Sequence, residues 1–572
     1  MMGWEQSDCA ALALDLIGTG LATADPYDHL TLNPALCPYL QARLGPEEAA
    51  ALDARWVQAM GQYVDYLYQE QIRRTEIAAA LTGLDLPNLL ALLERVQQAG
   101  ETAATIGLAT RLCGLLQDLG RPRLLARVGQ VRDTAARALG SGSGSGHARF
   151  EAESSRIKQQ LAAGRLPEAL AATESLLARA RAANQVEADA VYPGAEYDLG
   201  VACFMLARVR LTAGASESAL PLLVEAEQGF ESIARDDPKR QGAAERMASA
   251  CISVRGECLR RLGRLDASAA TYTEVIARDE RRGDARGVAV GKANLGTVRL
   301  DQRRYDDAQA AYAEARDRFA RLDEPGTVAG FWHQTGIAYQ ESGRPEAAED
   351  AYRESLKIEV RLGDRAGQAM TLAQLGNLYK NVLDRPEESA AFYRQAADLF
   401  GELGDPANEG LARSSLADTL GRLGRLAEAR REVERAIECK APFGHAAQPW
   451  TTWSNLAAIE TADGHPEAAA AALTRARAAY LDYRRDGGEN HSPAGRLALA
   501  VNEHLSAGDP AAARSLLRQT AADPAWSVDA GRAFIQSLDA IAAGSRDPAL
   551  ADTPGLHWEM SAEVLLLLDT LP

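Results

Sequence analysis

No two of the seven cysteines stand in a C-x-x-C pair, and the set (Cys9, Cys37, Cys113, Cys203, Cys251, Cys258 and Cys439) is odd in number and scattered. Neither a zinc site nor a disulfide framework is indicated, and a reducing cytoplasm fits. Cys251 and Cys258 lie two helical turns apart on one face and read as buried small hydrophobes. Basic blocks are missing as well. Asp and Glu number 79 against 62 Lys and Arg, a formal net charge of −17, so no nucleic-acid partner is expected. The longest late apolar run, Val564 to Leu568, is far too short to span a bilayer. The N-terminus is polar and acidic, unlike a signal peptide, and no membrane partner is expected. Aromatics make up only 6% while Ala and Leu abound, which suits helices packed closely through small side chains.

Catalytic constellations are equally scarce. Residues 287–293 read GVAVGKA, one residue short of a phosphate loop, with Ala293 where the magnesium-binding hydroxyl belongs and no strand before it. Cys439 and His445 lack an orienting group and an oxyanion hole. Asp486, Glu489, Asn490 and His491 match no metal-loop spacing. The sequence therefore points to no enzyme activity, no cofactor and no metal.

What it does contain is a recurring turn. Gly263-Arg264-Leu265-Asp266 is followed by Arg303-Arg304-Tyr305-Asp306, Gly343-Arg344-Pro345-Glu346, Asp384-Arg385-Pro386-Glu387, Gly424-Arg425-Leu426-Ala427 and Gly464-His465-Pro466-Glu467. The steps are 40, 40, 41, 40 and 40 residues, and a fixed period in this range marks stacked supersecondary units. Apolar residues recur at helical spacing on both sides of each turn, so each unit is a pair of antiparallel helices. Between pairs, Gly283-Asp284, Gly363-Asp364 and Gly404-Asp405-Pro406 place a left-handed residue after one helix and an N-cap before the next.

Leu295-Gly296 followed by Ala308, Tyr312 and Ala315 recurs as Trp332, Gly336, Tyr339, Ala348 and Tyr352, and then as Leu375-Gly376, Tyr379, Tyr393 and Ala396. This resembles the tetratricopeptide repeat (TPR), W-x2-L-G-x2-Y then A-x3-F then A. Gly296, Gly336 and Gly376 are expected at close helix crossings. The resemblance implies an all-α, right-handed TPR superhelix, a solenoid of helical hairpins with irregular helical caps at both ends. The long period with its "LGD" connections resembles kinesin light chains and bacterial signalling NTPases of the STAND class.

The expected organisation has six parts. Residues 247–479 are the regular 40-residue array, preceded by irregular TPR-like pairs at 147–246 and followed by a C-terminal helical cap at 480–572. Residues 140–146 read GSGSGSG, a flexible linker of engineered or natural origin. Residues 44–139 are helical with degenerate repeats. Residues 1–43 carry a helical pattern at Leu12 to Leu21, a break at Asp25 and Pro26, and a short strand around His29 to Pro34. Gly20-Leu21 and Leu32-Asn33-Pro34-Ala35-Leu36 resemble the end of the winged-helix domain in STAND proteins. On that resemblance an NTPase module precedes Met1 outside this chain; the alternative is an ordinary N-terminal cap.

In the TPR family the first helix of each pair lines the concave face. The resemblance implies a protein-binding row at Glu257, Arg260, Arg261, Asn294 and Thr297; His333, Gln334, Gln340 and Glu341; Gln374, Asn377, Lys380 and Asn381; and Ser414, Ser415, Asp418 and Asn455. This row is rich in amides and hydroxyls, which can bond to a peptide backbone. Ala373 stands where carboxylate-binding TPRs place a lysine, so capture of a C-terminal carboxylate is not implied. Asn377 and Lys380 are expected to contact ligand without supporting the fold. The function that follows is protein recognition by a bacterial signalling or defence sensor region, in the cytoplasm, or by a stand-alone adaptor joining two protein partners.

Overall fold

A computed structural model of the chain describes residues 6–24, 29–73, 75–117, 119–139, 146–185, 194–490 and 492–571. The break at Asp25 and Pro26, the Gly/Ser stretch 140–145, residues 191–193 and His491 lie outside the described residues.

The chain opens with α1 (Gln6–Gly18), strands β1 (Ala22–Ala24) and β2 (Leu30–Leu32), and α2 (Leu36–Gln41). The strands pair antiparallel, with Thr23 opposite Thr31. The strand expected near His29 is β2; its partner β1 was not legible in the sequence. Helices follow: α3 (Pro46–Arg73), α4 (Thr75–Leu84), α5 (Leu86–Gln98), α6 (Thr102–Gln117), α7 (Pro122–Ala138), α8 (Gly146–Ala162), α9 (Leu166–Asn184), α10 (Ala195–Thr212) and α11 (Ser216–Asp236). The regular pairs are α12 (Gln241–Arg261) with α13 (Leu265–Arg281), α14 (Ala285–Asp301) with α15 (Tyr305–Arg321), and α16 (Pro325–Glu341) with α17 (Pro345–Leu362). They continue as α18 (Arg365–Asn381) with α19 (Pro386–Leu403), α20 (Pro406–Arg422) with α21 (Leu426–Lys440), and α22 (Pro449–Ala462) with α23 (Pro466–Arg485). The last helices are α24 (Pro493–Ser506), α25 (Pro510–Ala521), α26 (Asp529–Ala542) and α27 (Trp558–Thr570). The fold is an all-α solenoid of helical hairpins. Contacts divide it into two compact units, Met1–Phe331 and Trp332–Pro572, with the division inside α16. Among the described residues no single helix is long and apolar enough to cross a membrane.

Local chemistry explains each hairpin. Within pairs, Gly263, Gly343, Gly424 and Gly464 take φ of +72° to +77°, and the amide just after the glycine returns to a carbonyl in the last turn of the helix, as from Arg264 to Leu259 at 2.9 Å and from Arg344 to Tyr339 at 2.9 Å. This closes the orphan carbonyls of the helix end. Arg303 and Asp384 hold the same left-handed place at φ +59° and +50°. The 41-residue step is absorbed next to Asp384, where Val382 and Leu383 both return to the Leu378 carbonyl and Arg385 reaches back to Tyr379. Between pairs, Asp284, Asp364 and Asp405 accept from the amides of Gly287, Gly367 and Asn408 at 2.8, 2.9 and 3.1 Å, each capping the next helix.

The pairs are locked by one contact. A Cβ added at Gly256, Gly296, Gly336 or Gly376 would lie 2.8, 2.8, 2.6 or 2.8 Å from the ring of Tyr272, Tyr312, Tyr352 or Tyr393. Each of these tyrosines is buried on the second helix of the pair. Ser389 donates to the bare carbonyl of Gly376 at 2.9 Å beside the same crossing. In the next pair the register that holds Gly376 and Tyr393 holds Ala417 and Val433, both fully buried in one cluster. The methyl appears where the ring has gone.

Cores follow this ladder. In the first unit, Val64, Leu89, Leu112 and Val128 pack together ahead of a larger cluster from Phe150 to Cys258. In the second, clusters around Tyr352, Phe400 and Leu416 lead to one built on Val501, Phe534 and Val564. Cys113, Cys203, Cys251, Cys258 and Cys439 are free and buried; Cys251 and Cys258 are the small hydrophobes their spacing suggested.

Two outcomes are expected. Gly376→Ala should destabilise by about 1–3 kcal/mol through overpacking against Tyr393. After Tyr393→Val the same change should be neutral or stabilising, since alanine is the better helix former by about 1 kcal/mol. A calorimetric double-mutant cycle, with hydrogen exchange in α18 and α19, checks the reversal; equal costs in both backgrounds would refute the lock. The second concerns His147, whose Nδ1 lies 2.9 Å from Asp198 and ties the start of α8 to α10. The hydrogen bond to Asp198 raises its pKa above 6.5; burial opposes this, and the Asp198 and Glu151 charges add to it. A raised folded-state pKa gives stability that is complete below the unfolded value and lost as pH rises through the folded one. Amide protection in the first turns of α8, corrected for intrinsic exchange, should therefore fall as pH climbs above 6.5, and His147→Gln should remove that dependence.

Candidate ligand-binding row

The row lies on the first helix of successive pairs, because the register that puts Gly256, Gly296, Gly336 and Gly376 against the second helix turns the neighbouring positions to the helix edge. It falls partly in each unit. In the first unit, Glu257 is enclosed by Arg260 at 2.8 and 2.9 Å and by Arg261 at 2.8 Å. Burial opposes the Glu257 charge, but these guanidinium bonds hold its carboxyl below the usual range. Arg260 also reaches Asp301 of α14 at 2.8 Å. Thr297 accepts the Tyr312 hydroxyl at 3.2 Å. Asn294 is half-buried and spends no hydrogen bond within the chain.

In the second unit the row divides by role. Bridging residues link first helices of successive pairs. Lys380 on α18 pairs with Asp418 on α20, Asn455 on α22 donates to the Ser414 carbonyl at 3.1 Å, and His333 on α16 meets Thr371 on α18 at 3.0 Å. Anchoring residues take the hydroxyls of the locked rings. Asn377 accepts from Tyr393 at 2.6 Å while donating to Gln374 at 3.2 Å, and Gln340 accepts from Tyr352 at 3.3 Å. Burial pushes the Tyr393 phenol up to about 12, so at neutral pH the phenol is the donor in this bond. Gln334 and Asn381 bond to nothing in the chain, with Gln334 half-buried and Asn381 exposed. Glu341 is exposed, and Ser415 is half-buried with its carbonyl accepting from Thr419 at 2.8 Å.

The expectation for Asn377 and Lys380 is corrected: neither stands clear of the fold, because the Asn377 side-chain oxygen holds a core tyrosine and Lys380 pairs with Asp418 on the next pair. Three residues were missed. Behind His333, the buried Glu359 accepts the hydroxyls of Ser355 at 2.9 Å and Thr371 at 3.0 Å. The signal was available: the repeat register places Asp279, Phe319, Glu359 and Phe400 at one position, and a carboxylate alternating with phenylalanine is out of keeping with a core site. Burial lowers the His333 pKa, which keeps the ring neutral at neutral pH.

Asn377→Ala should cost about 1 kcal/mol by stranding the Tyr393 hydroxyl, whereas Gln334→Ala and Asn381→Ala should stay within about 0.5 kcal/mol of the parent. Thermal unfolding of the three variants checks the division; equal effects would erase it.

Residues 287–359 match the family model described as Tetratricopeptide repeat. No curated protein sequence matches the chain. Among solved structures, BtubC (BKLC) from P. vanneervenii is 22% identical over 42% of this chain and 92% of its own, with a TM-score of 0.35. A signal transduction ATPase with numerous domains carrying a tetratricopeptide repeat sensor, from Pyrococcus horikoshii, is 14% identical over 74% of this chain and 73% of its own, with a TM-score of 0.43. The apo form of RapI is 12% identical over 68% of this chain and 98% of its own, with a TM-score of 0.42. The repeat fold is an interaction scaffold rather than a catalytic fold. Residues 287–359 match the tetratricopeptide repeat model, and the helical hairpin seen there recurs on both sides of them through the solenoid.

Proposed function

We propose that the chain is the ligand-sensing region of a STAND-type signalling or defence NTPase, and that the second unit's stretch of the row holds an extended segment of a protein or peptide. The observation that carries the binding role is unspent hydrogen-bonding capacity. Gln334 and Asn381 in the second unit, and Asn294 in the first, present side-chain amides with no partner in the chain on helices where several neighbouring polar groups are committed. An amide both donates and accepts, and so matches a peptide backbone in either sense. Rigid helices on both sides lower the ordering cost of such a contact. The sensor assignment is supported by the N-terminal order of helix, two-stranded hairpin and short helix, from α1 to α2, on the residues that resemble a winged-helix end. A cytoplasmic setting is supported by five buried, unpaired cysteines. The adaptor reading draws on the division into two compact units, each carrying its own stretch of the row.

The test has two arms. An in-frame ATPase module encoded upstream of Met1 supports the sensor; a free-standing gene supports the adaptor. For binding, the partner captured from the source cells is titrated calorimetrically against Gln334→Ala with Asn381→Ala. A loss of about 1–3 kcal/mol, with unchanged circular dichroism and new amide protection on α16, α18 and α20, is expected. Unchanged affinity with protection confined to α1, β1 and β2 would move the site to the N-terminal segment.

A further inference from the structure

His333 sits in the row with its orientation set from behind. Glu359 on α17 is 4% exposed. Its Oε1 accepts the Ser355 hydroxyl at 2.9 Å and the Thr371 hydroxyl at 3.0 Å. A threonine hydroxyl has one proton, and here that proton goes to Glu359. The Thr371 oxygen is left with lone pairs only, and it lies 3.0 Å from Nδ1 of His333. Nδ1 must therefore be the donor. A neutral imidazole carries a single N–H, so Nε2 is the bare, accepting nitrogen. Burial lowers the His333 pKa, which keeps the ring in that neutral form. The edge of the ring also packs against Tyr352, with centroids 5.5 Å apart at 66°, so the ring is held in place as well as in tautomer. Nε2 has no partner in the chain and is not among the buried unpaired atoms, and Gln334 follows it on α16.

We propose that His333 is a pre-set hydrogen-bond acceptor for the bound segment, its Nε2 taking a backbone N–H of an extended peptide, with Thr371 and Glu359 as the residues that position it. This rests on the row being the ligand face. It adds a polarity: at this point the ligand must donate. Carboxylates and carbonyl oxygens are repelled by the Nε2 lone pair, and a proton-donating group is selected.

Two measurements on the full chain decide it. The first is the two-bond proton–nitrogen correlation spectrum of protein labelled with 15N-histidine at neutral pH, with His333 identified by its loss in His333→Gln. A pyridine-type Nε2 and a pyrrole-type Nδ1 are expected. Thr371→Ser should keep this pattern and Thr371→Val should relax it toward a mixture of tautomers, a change that loss of packing alone would not make. A proton on Nε2 in the parent protein overturns the proposal, because Glu359 then holds the proton and the chain runs the other way. The second uses a random peptide library displayed on phage and selected on the full chain. Enriched peptides should bind about tenfold more weakly to His333→Phe, the loss of one well-placed hydrogen bond. Peptides that weaken on Gln334→Ala and Asn381→Ala but not on His333→Phe overturn the acceptor role and leave the row as the ligand face. Peptides indifferent to all three substitutions overturn the row itself, and the acceptor role with it.

Discussion

A tyrosine ring resting on a bare stretch of helix backbone sets the geometry of four of the six regular pairs. Gly256, Gly296, Gly336 and Gly376 leave no Cβ, so Tyr272, Tyr312, Tyr352 and Tyr393 approach to distances that any side chain would block. The ring is large, flat and apolar over most of its area, so it fills the space between two helices while its hydroxyl reaches past the crossing. That hydroxyl needs a partner where it emerges, and Tyr312, Tyr352 and Tyr393 find theirs on the first helix: Thr297, Gln340 and Asn377. Where Gly+1 is an isoleucine, Ile337, the Tyr352 hydroxyl turns to Gln340 instead. The packing of the pair thus dictates part of the chemistry on its edge. Polar residues that look like a ligand surface in the sequence are in several places the acceptors that let a buried tyrosine keep its proton.

Charges on the same edge serve a related purpose. Arg260 with Asp301 and Lys380 with Asp418 join first helices of neighbouring pairs, and Asn455 does the same through the Ser414 carbonyl. Half-exposed ion pairs are individually weak, but in a solenoid each repeat rests only on its neighbours, so small bridges between neighbouring pairs within a unit help keep its face in register. What remains for recognition includes the side-chain amides of Asn294, Gln334 and Asn381, which have no partner in the chain, and the outward nitrogen of His333. A face built this way is stiff where it is committed and specific where it is not.

Glu359 shows how a locally unfavourable choice can be kept. Burying a carboxyl where neighbouring repeats bury phenylalanine costs free energy, and burial, chiefly, raises its pKa. The Ser355 and Thr371 hydroxyls offset part of that cost, and the chain of bonds they begin ends at a row residue. Asp279, at the same register in an earlier pair, is instead paired with Arg282 at 2.6 Å. One repeat position thus carries a phenylalanine, an ion-paired aspartate or a hydroxyl-bonded glutamate, and further along Lys440, which donates to Thr452 at 3.0 Å, and Tyr480.

The helices, their order and their turns were legible in the sequence because each rests on local chemistry. Glycine after a helix, aspartate before one, and apolar residues at helical spacing act within a few residues of themselves, and the period of forty displays them six times. Even the 41-residue step was visible, though only the structure showed Val382 and Leu383 absorbing it by sharing the Leu378 carbonyl. The Gly–Tyr pairing was legible as well, since both partners recur in register. The division of the row was not. Whether Asn377 faces a ligand or a tyrosine hydroxyl depends on a ring 16 residues away, and whether His333 donates or accepts depends on a threonine 38 residues away and a glutamate behind it. Spacing within one helix says which face a residue occupies. Which of its bonds are already spent is decided only where a second and a third helix close over it.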